Sequence, residues 1–256
     1  MKIIYLGDKM GTYNRFAEIY DNLISEDVNY SDWGSFILEK CYKNNIPMKE
    51  YLDLGSGTGN LALKICNSFS SCWCVDLSED MLIIAESKFR RNRKRARFIR
   101  QNMIELNLNK KFDLITCALD CINYLTGKND INDLFKAINN HISEAGIFIF
   151  DINSDYKLIN ILGQNTFTYN SDEVVYLWEN DIINNIVEMN LTFFVKNGEV
   201  YDRFDEIHRE KIYSIQEIEQ AIERNGLHVL ERLDNYTERT VSVESERITY
   251  IVSKVK

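Results

Sequence analysis

The spacing of apolar residues predicts helices at the start of the chain and an alternation of strands and helices afterwards. Before Pro47 the apolar positions share helical faces, so the first 46 residues are predicted to be helical. From Glu50 as far as Asp151, short apolar runs alternate with helical patterns. Such alternation is typical of a parallel sheet that is covered by helices on both faces. The pattern therefore predicts a doubly wound α/β core.

The elements of this core follow from the same pattern. Strands are predicted over residues 51–54, 72–75, 96–99, 112–117 and 146–151. Helices are predicted over residues 60–69, 79–89 and 130–142. Ser78 directly precedes the second of these helices and is expected to cap it.

A different pattern begins after Ile152. Long β segments are predicted over residues 173–182, 186–196 and 199–212, and Asn184-Asn185 and Asn197-Gly198 separate them. Asn-Gly between two such segments is a strong hairpin signal. We expect an antiparallel meander here, beside the C-terminal edge of the parallel sheet, where it is placed to cover a ligand crevice.

The end of the chain returns to the α/β pattern. Ser214 caps a predicted helix that Gly226 ends, and strands are predicted over residues 227–233 and 247–253. The expected parts are N-terminal helices with the α/β core (1–152), an inserted β lid (153–212), and a C-terminal helix and hairpin that complete the sheet (213–256).

Composition and charge exclude several classes of protein. Hydrophobic residues make up 45% and charged residues 27% of the chain, as in ordinary soluble globular proteins. No apolar stretch approaches the ~18 residues of a membrane span, and the first residues contain no apolar signal segment. The formal net charge of −9 argues against a nucleic-acid partner, because phosphate binding usually needs a basic surface.

The six cysteines and three histidines do not predict a metal site. No two cysteines have C-x-x-C spacing, and no histidine lies near a cysteine pair. Reduced thiols that pack as small apolar residues are the better interpretation, and they indicate the cytoplasm. We expect a monomer or a homodimer without membrane contact.

The stretch Asp53-Leu54-Gly55-Ser56-Gly57-Thr58-Gly59 is the most informative part of the sequence. It follows a predicted strand and precedes a predicted helix, and its glycines allow a sharp turn that a ligand can approach closely. Its spacing differs from the dinucleotide-binding motif, and it lacks the Gly-Lys-Ser/Thr of a phosphate loop. Taken alone, it is also compatible with a tight strand-to-helix connection.

Two further positions lie where a doubly wound sheet places cofactor contacts. Asp76 ends the second predicted strand, 21 residues after Gly55, where an acid that accepts from ribose hydroxyls is expected. It could instead cap the next helix, but Ser78 is better placed to do so. Gln101-Asn102-Met103 follows the third strand, where a polar side chain can contact an adenine edge and Met103 can pack on the ring.

Together these segments carry a resemblance to a known family. The successive motifs D-L-G-S-G-T-G, V-D-L-S-E-D-M-L, F-D-L-I-T-C and A-G-I-F-I-F-D resemble those of the class I S-adenosylmethionine-dependent methyltransferases, closely over residues 13–152. The resemblance implies S-adenosylmethionine as cofactor. It also implies a doubly wound, mostly parallel, seven-stranded Rossmann-like sheet with a small inserted antiparallel β subdomain.

The resemblance further implies the residues that bind the cofactor. These are Asp53, Gly55, Ser56 and Gly57 in the turn that cradles the methionine part, Asp76 at the ribose, Leu77, Met81, Asn102 and Met103 around the adenine, and Ala118 and Leu119 on the methionine side. The family usually has Asp at the position of Asn102. An Asn carbonyl can still accept from the adenine amino group.

Within this class, the N-terminal helices and the β lid resemble the small-molecule branch, which includes glycine and amino-sugar N-methyltransferases. Residues 13–21 resemble that branch's opening helix, whose tyrosines close over the cofactor. The resemblance therefore assigns Tyr20, and after it Tyr30 and Trp33, to the site. Hydrophobic packing of the first helices is the alternative for all three.

The reaction narrows the choice of residues that contact the acceptor. Methyl transfer from a sulfonium needs positioning and exclusion of water, and a hydroxyl acceptor also needs a base within hydrogen-bond reach. Asp120, just after the fourth strand, and His208, on the last lid strand beside Phe204 and Glu206 on one face, are the best candidates. Asp120 could instead cap a turn, and His208 could be a surface histidine among acids.

The sequence therefore favours a methyltransferase that acts on a small molecule, with nitrogen slightly preferred over oxygen. Eight basic residues within 88–100 make an RNA methyltransferase the main alternative. A solvated helix end is the preferred interpretation of this run, because it falls at the sheet edge away from the crevice. A cofactor-binding module without activity is the third possibility.

Overall fold

The structure, a computed structural model, describes Asp21 and residues 28–255. The predicted helical residues 1–20 and 22–27, Tyr20 among them, lie outside the described residues.

Strands and helices alternate through the first half of the described chain. The order is α1 (Tyr30–Lys43), β1 (Glu50–Leu54), α2 (Asn60–Ile65), β2 (Ser71–Asp76), α3 (Glu79–Arg91), β3 (Arg97–Arg100), β4 (Phe112–Cys117), α4 (Asp130–His141) and β5 (Ile142–Asn153). Ser78 caps α3 by accepting from the backbone N–H of Met81, as predicted. The helix predicted over 60–69 is shorter, because α2 passes into a 3-10 turn at Cys66–Ser68.

The insertion is a four-stranded antiparallel sheet. A π-helical segment (Lys157–Leu162) precedes β6 (Thr166–Asn170), β7 (Val174–Ile183), β8 (Ile186–Asn197) and β9 (Val200–Lys211), which pair in chain order. Asn184, Asn185 and Gly198 have positive φ at the two predicted turns, as tight hairpins require. The sequence pattern predicts neither β6 nor the π-helical segment.

The chain then returns to the first sheet through α5 (Ile215–Arg224), β10 (Leu227–Asp234) and β11 (Arg247–Lys254). Ser214 and Glu217 form a capping box at the start of α5, and Gly226 follows its end with a φ of 72°. Both signals agree with the predicted limits of this helix.

The seven-stranded sheet has the order β10-β11-β5-β4-β1-β2-β3. Strands β1 to β5 are parallel, and β10 and β11 are antiparallel. The chain order reverses between β1 and β4, which is where a doubly wound sheet binds ligands beyond its carboxyl ends. The predicted fold class is confirmed.

Apolar cores cover both faces of this sheet. Leu134 and Phe135 of α4 and Ile218 of α5 pack on one face, while Ile37 of α1 and Leu61 of α2 pack on the other. The buried parallel strands are therefore apolar on both sides, which explains their continuous hydrophobic runs. Within the described ranges, no helix is long and apolar enough to cross a membrane.

Candidate active site

The turn after β1 presents backbone rather than side chains. Gly55 and Gly57 have φ of 62° and 50°, a region that favours glycine. A Cβ on Gly55 would stand 2.7 Å from the Sγ of Cys121, whereas a Cβ on Gly57 would meet no described atom within 4 Å. Gly55 is therefore required by packing, and Gly57 borders space that no described residue fills.

Asp76 fastens this turn to the end of β2. Its carboxylate accepts from the backbone N–H of Gly57 at 2.7 Å and from that of Ser78 at 2.8 Å. Burial raises the pKa of Asp76, and the backbone N–H donors oppose that shift by favouring the charged form. The carboxylate is thus oriented beside the glycine turn, where the sequence predicts the ribose contact.

Asp53 lies beneath the turn and joins two strands. Its Oδ1 accepts from the hydroxyl of Thr116 on β4 at 2.6 Å, and that hydroxyl lies 2.9 Å from the hydroxyl of Tyr51. Burial raises the pKa of Asp53 to about 7. Because Asp53 is only 3% exposed, its carboxylate supports the turn from inside the core.

The predicted adenine contacts lie at the ends of β2 and β3. Leu77, Met81 and Met103 are half-buried there, and the Cε of Met103 lies 3.5 Å from the position of a Cβ on Gly55. The Oδ1 of Asn102 accepts from the backbone N–H of Ile104 at 3.3 Å. One lone pair of the Asn102 carbonyl is thus used to cap a 3-10 turn, and the other remains for a ligand donor.

The loop after β4 packs against the glycine turn. Ala118 is buried, and Leu119 and Asp120 have φ of 59° and 49°. The Sγ of Cys121 donates to the carbonyl of Ala118 at 3.0 Å and lies 3.6 Å from that of Gly55. The ends of β1, β3 and β4 therefore converge on Gly55.

One buried atom in this region has no hydrogen-bond partner among the described residues, namely the Oγ of Ser56. A buried hydroxyl without a partner costs about 1–3 kcal/mol. A ligand with polar groups at the turn would remove that cost. Ser56, the open side of Gly57 and the oriented carboxylate of Asp76 together fit the methionine and ribose parts of S-adenosylmethionine.

A buried ion cluster lies beside the β4 loop, and the sequence reasoning missed its central residue. Arg247, at the start of β11, pairs with Asp120 at 2.8 Å and with Asp151 at the end of β5. Its guanidinium lies 5.5 Å from the ring centroid of Trp33, which stacks on Tyr236 at 4.1 Å. Trp33 thus packs in the core and also supports the arginine. The sequence signal that could have identified Arg247 was a single arginine at the start of an apolar strand.

Tyr30 stands between this cluster and the start of α2. Its ring centroid lies 6.1 Å from that of Trp33. Burial raises the pKa of Tyr30, and a hydrogen bond with Asn60 opposes the rise. Tyr30 is therefore neutral and lies near the start of α2, which directly follows the glycine turn.

The root of the lid is fastened to the β4 loop by Asn123. Its Nδ2 donates to the carbonyls of Asn153 and Lys211 at 3.2 and 3.1 Å, and its Oδ1 accepts from the N–H of Asn153 at 3.0 Å. Beside it, Glu210 accepts from the Nδ2 of Asn153 at 2.8 Å, and burial raises the pKa of Glu210 well above its usual range.

His208 lies on the inner face of β9 with both ring nitrogens in hydrogen bonds. Its Nε2 lies 2.8 Å from the Oε2 of Glu206, and its Nδ1 lies 3.3 Å from the hydroxyl of Tyr124 in the β4 loop. The predicted sharing of one face by Phe204, Glu206 and His208 agrees with the strand register. The sequence reasoning did not find Tyr124, which is 84 residues away from His208.

Comparison with known proteins identifies the family. Residues 52–146 match the family model described as a methyltransferase domain. The protein GWCH70_2453 of Geobacillus sp. (strain WCH70), named as a methyltransferase, is 35% identical over 247 residues, which cover 95% of this chain and 100% of that protein. A crystal structure of an S-adenosylmethionine-dependent methyltransferase from Clostridium acetobutylicum ATCC 824 has 48% identity and a TM-score of 0.91, covering 96% of this chain and 100% of that one. The chain belongs to the S-adenosylmethionine-dependent methyltransferases.

The predicted family, enzyme class and cofactor are therefore confirmed for this methyltransferase. Its fold is also similar to that of the sugar N-methyltransferase KedS8 from Streptoalloteichus sp ATCC 53650. That likeness has a TM-score of 0.75 at 15% identity and covers 98% of this chain and 95% of the other. At such identity it shows the fold alone.

The basic run of this methyltransferase is partly used for internal contacts. Lys88 pairs with Asp21, Lys94 donates to the carbonyl of Leu63, and Arg97 lies 4.7 Å from the Trp73 ring centroid. The exposed members near the turn before β3 are Arg90, Arg91, Arg93 and Arg95. Because β3 is an edge strand, the run lies away from the switch point, as predicted.

Among the described residues, the histidine, cysteine and acidic side chains are the types that bind metal ions. No group of three or more His, Cys, Asp or Glu residues there could hold a metal ion. The six cysteines are free thiols, five of them buried. These observations agree with thiols that act as small apolar residues.

Proposed function

We propose that this methyltransferase transfers the methyl group of S-adenosylmethionine to a nitrogen atom of a small molecule held between the β4 loop and the lid. The observation that carries the proposal is the excess of carboxyl groups in that region. The carboxylates are Asp120, Asp151 and Glu206, against Arg247 and Lys157 as cations, and the buried carboxyl group of Glu210 lies beside them.

Charge explains why this excess favours an amine. An ammonium group would offset the desolvated carboxylates, whereas a phosphate or carboxylate on the acceptor would add repulsion in a region of low dielectric constant. Asp120 and Arg247 keep 15% and 11% of their side chains exposed, so this ion pair is not completely sealed from the surface. The sugar N-methyltransferase KedS8, which shares this fold, is consistent with the same class of acceptor.

The chain's own residues would bind and orient the cofactor as the sequence predicts. We assign the turn Gly55–Ser56–Gly57 with Asp53, Ala118 and Leu119 to the methionine part, Asp76 to the ribose, Leu77, Met81, Asn102 and Met103 to the adenine, and Tyr20 and Tyr30 to the cover. When bound, the cofactor supplies a sulfonium methyl group that is transferred in line. The protein then has chiefly to position the acceptor and exclude water.

The three predicted parts of the chain would have separate tasks in this reaction. Residues 1–152 bind the cofactor, residues 153–212 cover the acceptor, and residues 213–256 complete the sheet. The free thiols favour the cytoplasm as the place of action.

A panel of matched acceptors tests the proposal. The protein is incubated with S-adenosylmethionine and with sets of compounds that differ only in bearing an amino, a hydroxyl or a phosphate group, and S-adenosylhomocysteine is measured. We expect turnover with amines and a product that carries one more methyl group on nitrogen. Turnover confined to hydroxyl or phosphorylated members would contradict the proposal.

RNA is a second candidate acceptor, favoured by one observation, the four exposed arginines before β3. Binding of a transfer RNA would then fall steeply with salt, because phosphate contacts release counterions. An absence of RNA affinity at low salt removes this candidate.

A further inference from the structure

We infer that Tyr124 is a catalytic residue that takes the proton of the acceptor, and that His208 and Glu206 store and stabilise that proton. The inference rests on the proposed function, because it names how this site prepares its acceptor nitrogen.

Two hydrogen bonds join the three side chains. The Tyr124 hydroxyl lies 3.3 Å from His208 Nδ1, and His208 Nε2 lies 2.8 Å from the Glu206 carboxylate. A carboxylate can only accept, so Nε2 carries the hydrogen, and in the neutral imidazole Nδ1 then accepts from the tyrosine. Among the described residues, the Tyr124 hydroxyl is the group in hydrogen-bond contact with His208 Nδ1, so it can pass a proton to that nitrogen.

The β4 loop places this chain beside the cofactor turn. Cys121, in the same loop, contacts Gly55, and Asn123 joins the loop to Lys211, near His208 on β9. Tyr124 therefore lies between the glycine turn and the root of the lid. His208 and Glu206 keep 26% and 20% of their side chains exposed, so they are partly open to solvent rather than sealed in the packed core.

Proton transfer from the acceptor precedes methyl transfer. A proton leaves the acceptor ammonium for the Tyr124 oxygen as the tyrosine's own proton moves to His208 Nδ1, which leaves an imidazolium paired with Glu206. The neutral nitrogen then forms the N–CH3 bond with its lone pair while the S–CH3 bond breaks and its electrons stay on sulfur. His208 returns its proton to water after product release.

Other ionisable groups surround this chain and define its charge. Glu210 follows on the same face of β9, with Asp120 and Lys157 beside it, and Met189 is the uncharged cross-strand neighbour of His208. Glu206 is thus the carboxylate in contact with the imidazole, and its removal is the sharpest electrostatic test.

Sinefungin tests the inference without an acceptor. In this cofactor analogue an amine-bearing carbon replaces the sulfonium and its methyl group, so its ammonium occupies the place of the reacting methyl. Its affinity and that of S-adenosylhomocysteine are measured by calorimetry in the wild type, Tyr124→Phe and Glu206→Gln. We expect the sinefungin affinity to fall about tenfold in Tyr124→Phe and several-fold in Glu206→Gln, with S-adenosylhomocysteine unchanged, because only sinefungin donates to the tyrosine.

Glu188→Gln is the matched control. Glu188 lies on the opposite face of the lid, where it pairs with Arg209, so neither affinity should change. A ratio of the two affinities that stays at the wild-type value in both Tyr124→Phe and Glu206→Gln would overturn the inference. Failure of the amine proposal has a different result, since the acceptor panel would then give no amine turnover while the ratio still shifts.

Discussion

Two glycines in the same turn offer a matched pair of perturbations. Gly55 and Gly57 both have left-handed φ, of 62° and 50°, so alanine is strained at either position. Only at Gly55 does the new Cβ meet a described neighbour, the Sγ of Cys121 at 2.7 Å. Gly57→Ala therefore measures the backbone strain, and Gly55→Ala measures the strain together with the clash.

The magnitudes follow from these two contributions. Left-handed backbone costs an alanine about 1 kcal/mol, and forced overpacking costs about 2 kcal/mol more. At ~3 °C per kcal/mol for a chain of this size, Gly57→Ala should lower the melting temperature by about 3 °C. The same conversion gives about 9 °C for Gly55→Ala.

Cys121→Ala is combined with Gly55→Ala in a double-mutant cycle. It removes the sulfur and leaves the Cys121 Cβ at 3.3 Å from the new methyl group, a contact that small shifts can accommodate. The double variant should therefore recover most of the ~2 kcal/mol of overpacking.

Thermal denaturation without ligand and calorimetry with S-adenosylhomocysteine separate stability from binding. We expect Gly57→Ala to be the more stable variant and to bind the ligand more weakly than the wild type, because its methyl group enters the open space beside the turn. Equal losses of melting temperature at the two glycines would refute the packing argument. The argument would also be refuted if the double variant with Gly55→Ala and Cys121→Ala were no more stable than Gly55→Ala alone.

Three further outcomes are expected. Asp76→Ala removes the acceptor for two backbone N–H groups and the assigned ribose contact, so affinity for S-adenosylhomocysteine should fall at least tenfold by calorimetry; unchanged affinity would refute the assignment. The folded-state pKa of Asp53 is about 7, against about 4 when exposed, so its stabilising contribution is complete below about pH 4 and is lost as the pH rises to 7. Chemical denaturation between about pH 5 and 8 should then show a smaller decline in Asp53→Asn than in the wild type, and an equal decline would contradict the burial of this charge. The double variant with Arg91→Glu and Arg95→Glu should keep the wild-type turnover of a small amine, whereas a loss of that turnover would tie the basic run to the active site.

Periodicity predicted the strands of the core because their burial is local in the sequence. β1, β2 and β4 are buried on both faces, so each is a short apolar run between turn signals. The hydrophobic pattern does not predict β6, because β6 is a short edge strand in which only Phe167 and Tyr169 are apolar. The position of β6 beside β7, rather than its local sequence, determines that it forms a strand.

The turn assigned to the cofactor was predictable for the same reason, and the contacts proposed for the acceptor were not. The glycine turn and Asp76 follow from strand ends that sequence spacing reveals. Arg247 meets Asp120 across 127 residues, and Tyr124 meets His208 across 84. Such pairs depend on how the lid and the last strand return to the sheet, and no local pattern encodes that. Glu206 was found beside His208 because a two-residue period places them on one face.

The hydrogen bonds of Asn123 define one junction between the lid and the sheet. Because one side chain holds both Asn153, where the insertion leaves the sheet, and Lys211, where it returns, the two ends of the insertion lie side by side. A lid from a related enzyme with the same junction could be grafted there without moving the cofactor turn. Chimeras of this kind would exchange acceptor preference while methyl-donor binding stays constant, which suggests how a single scaffold diversifies its chemistry during evolution.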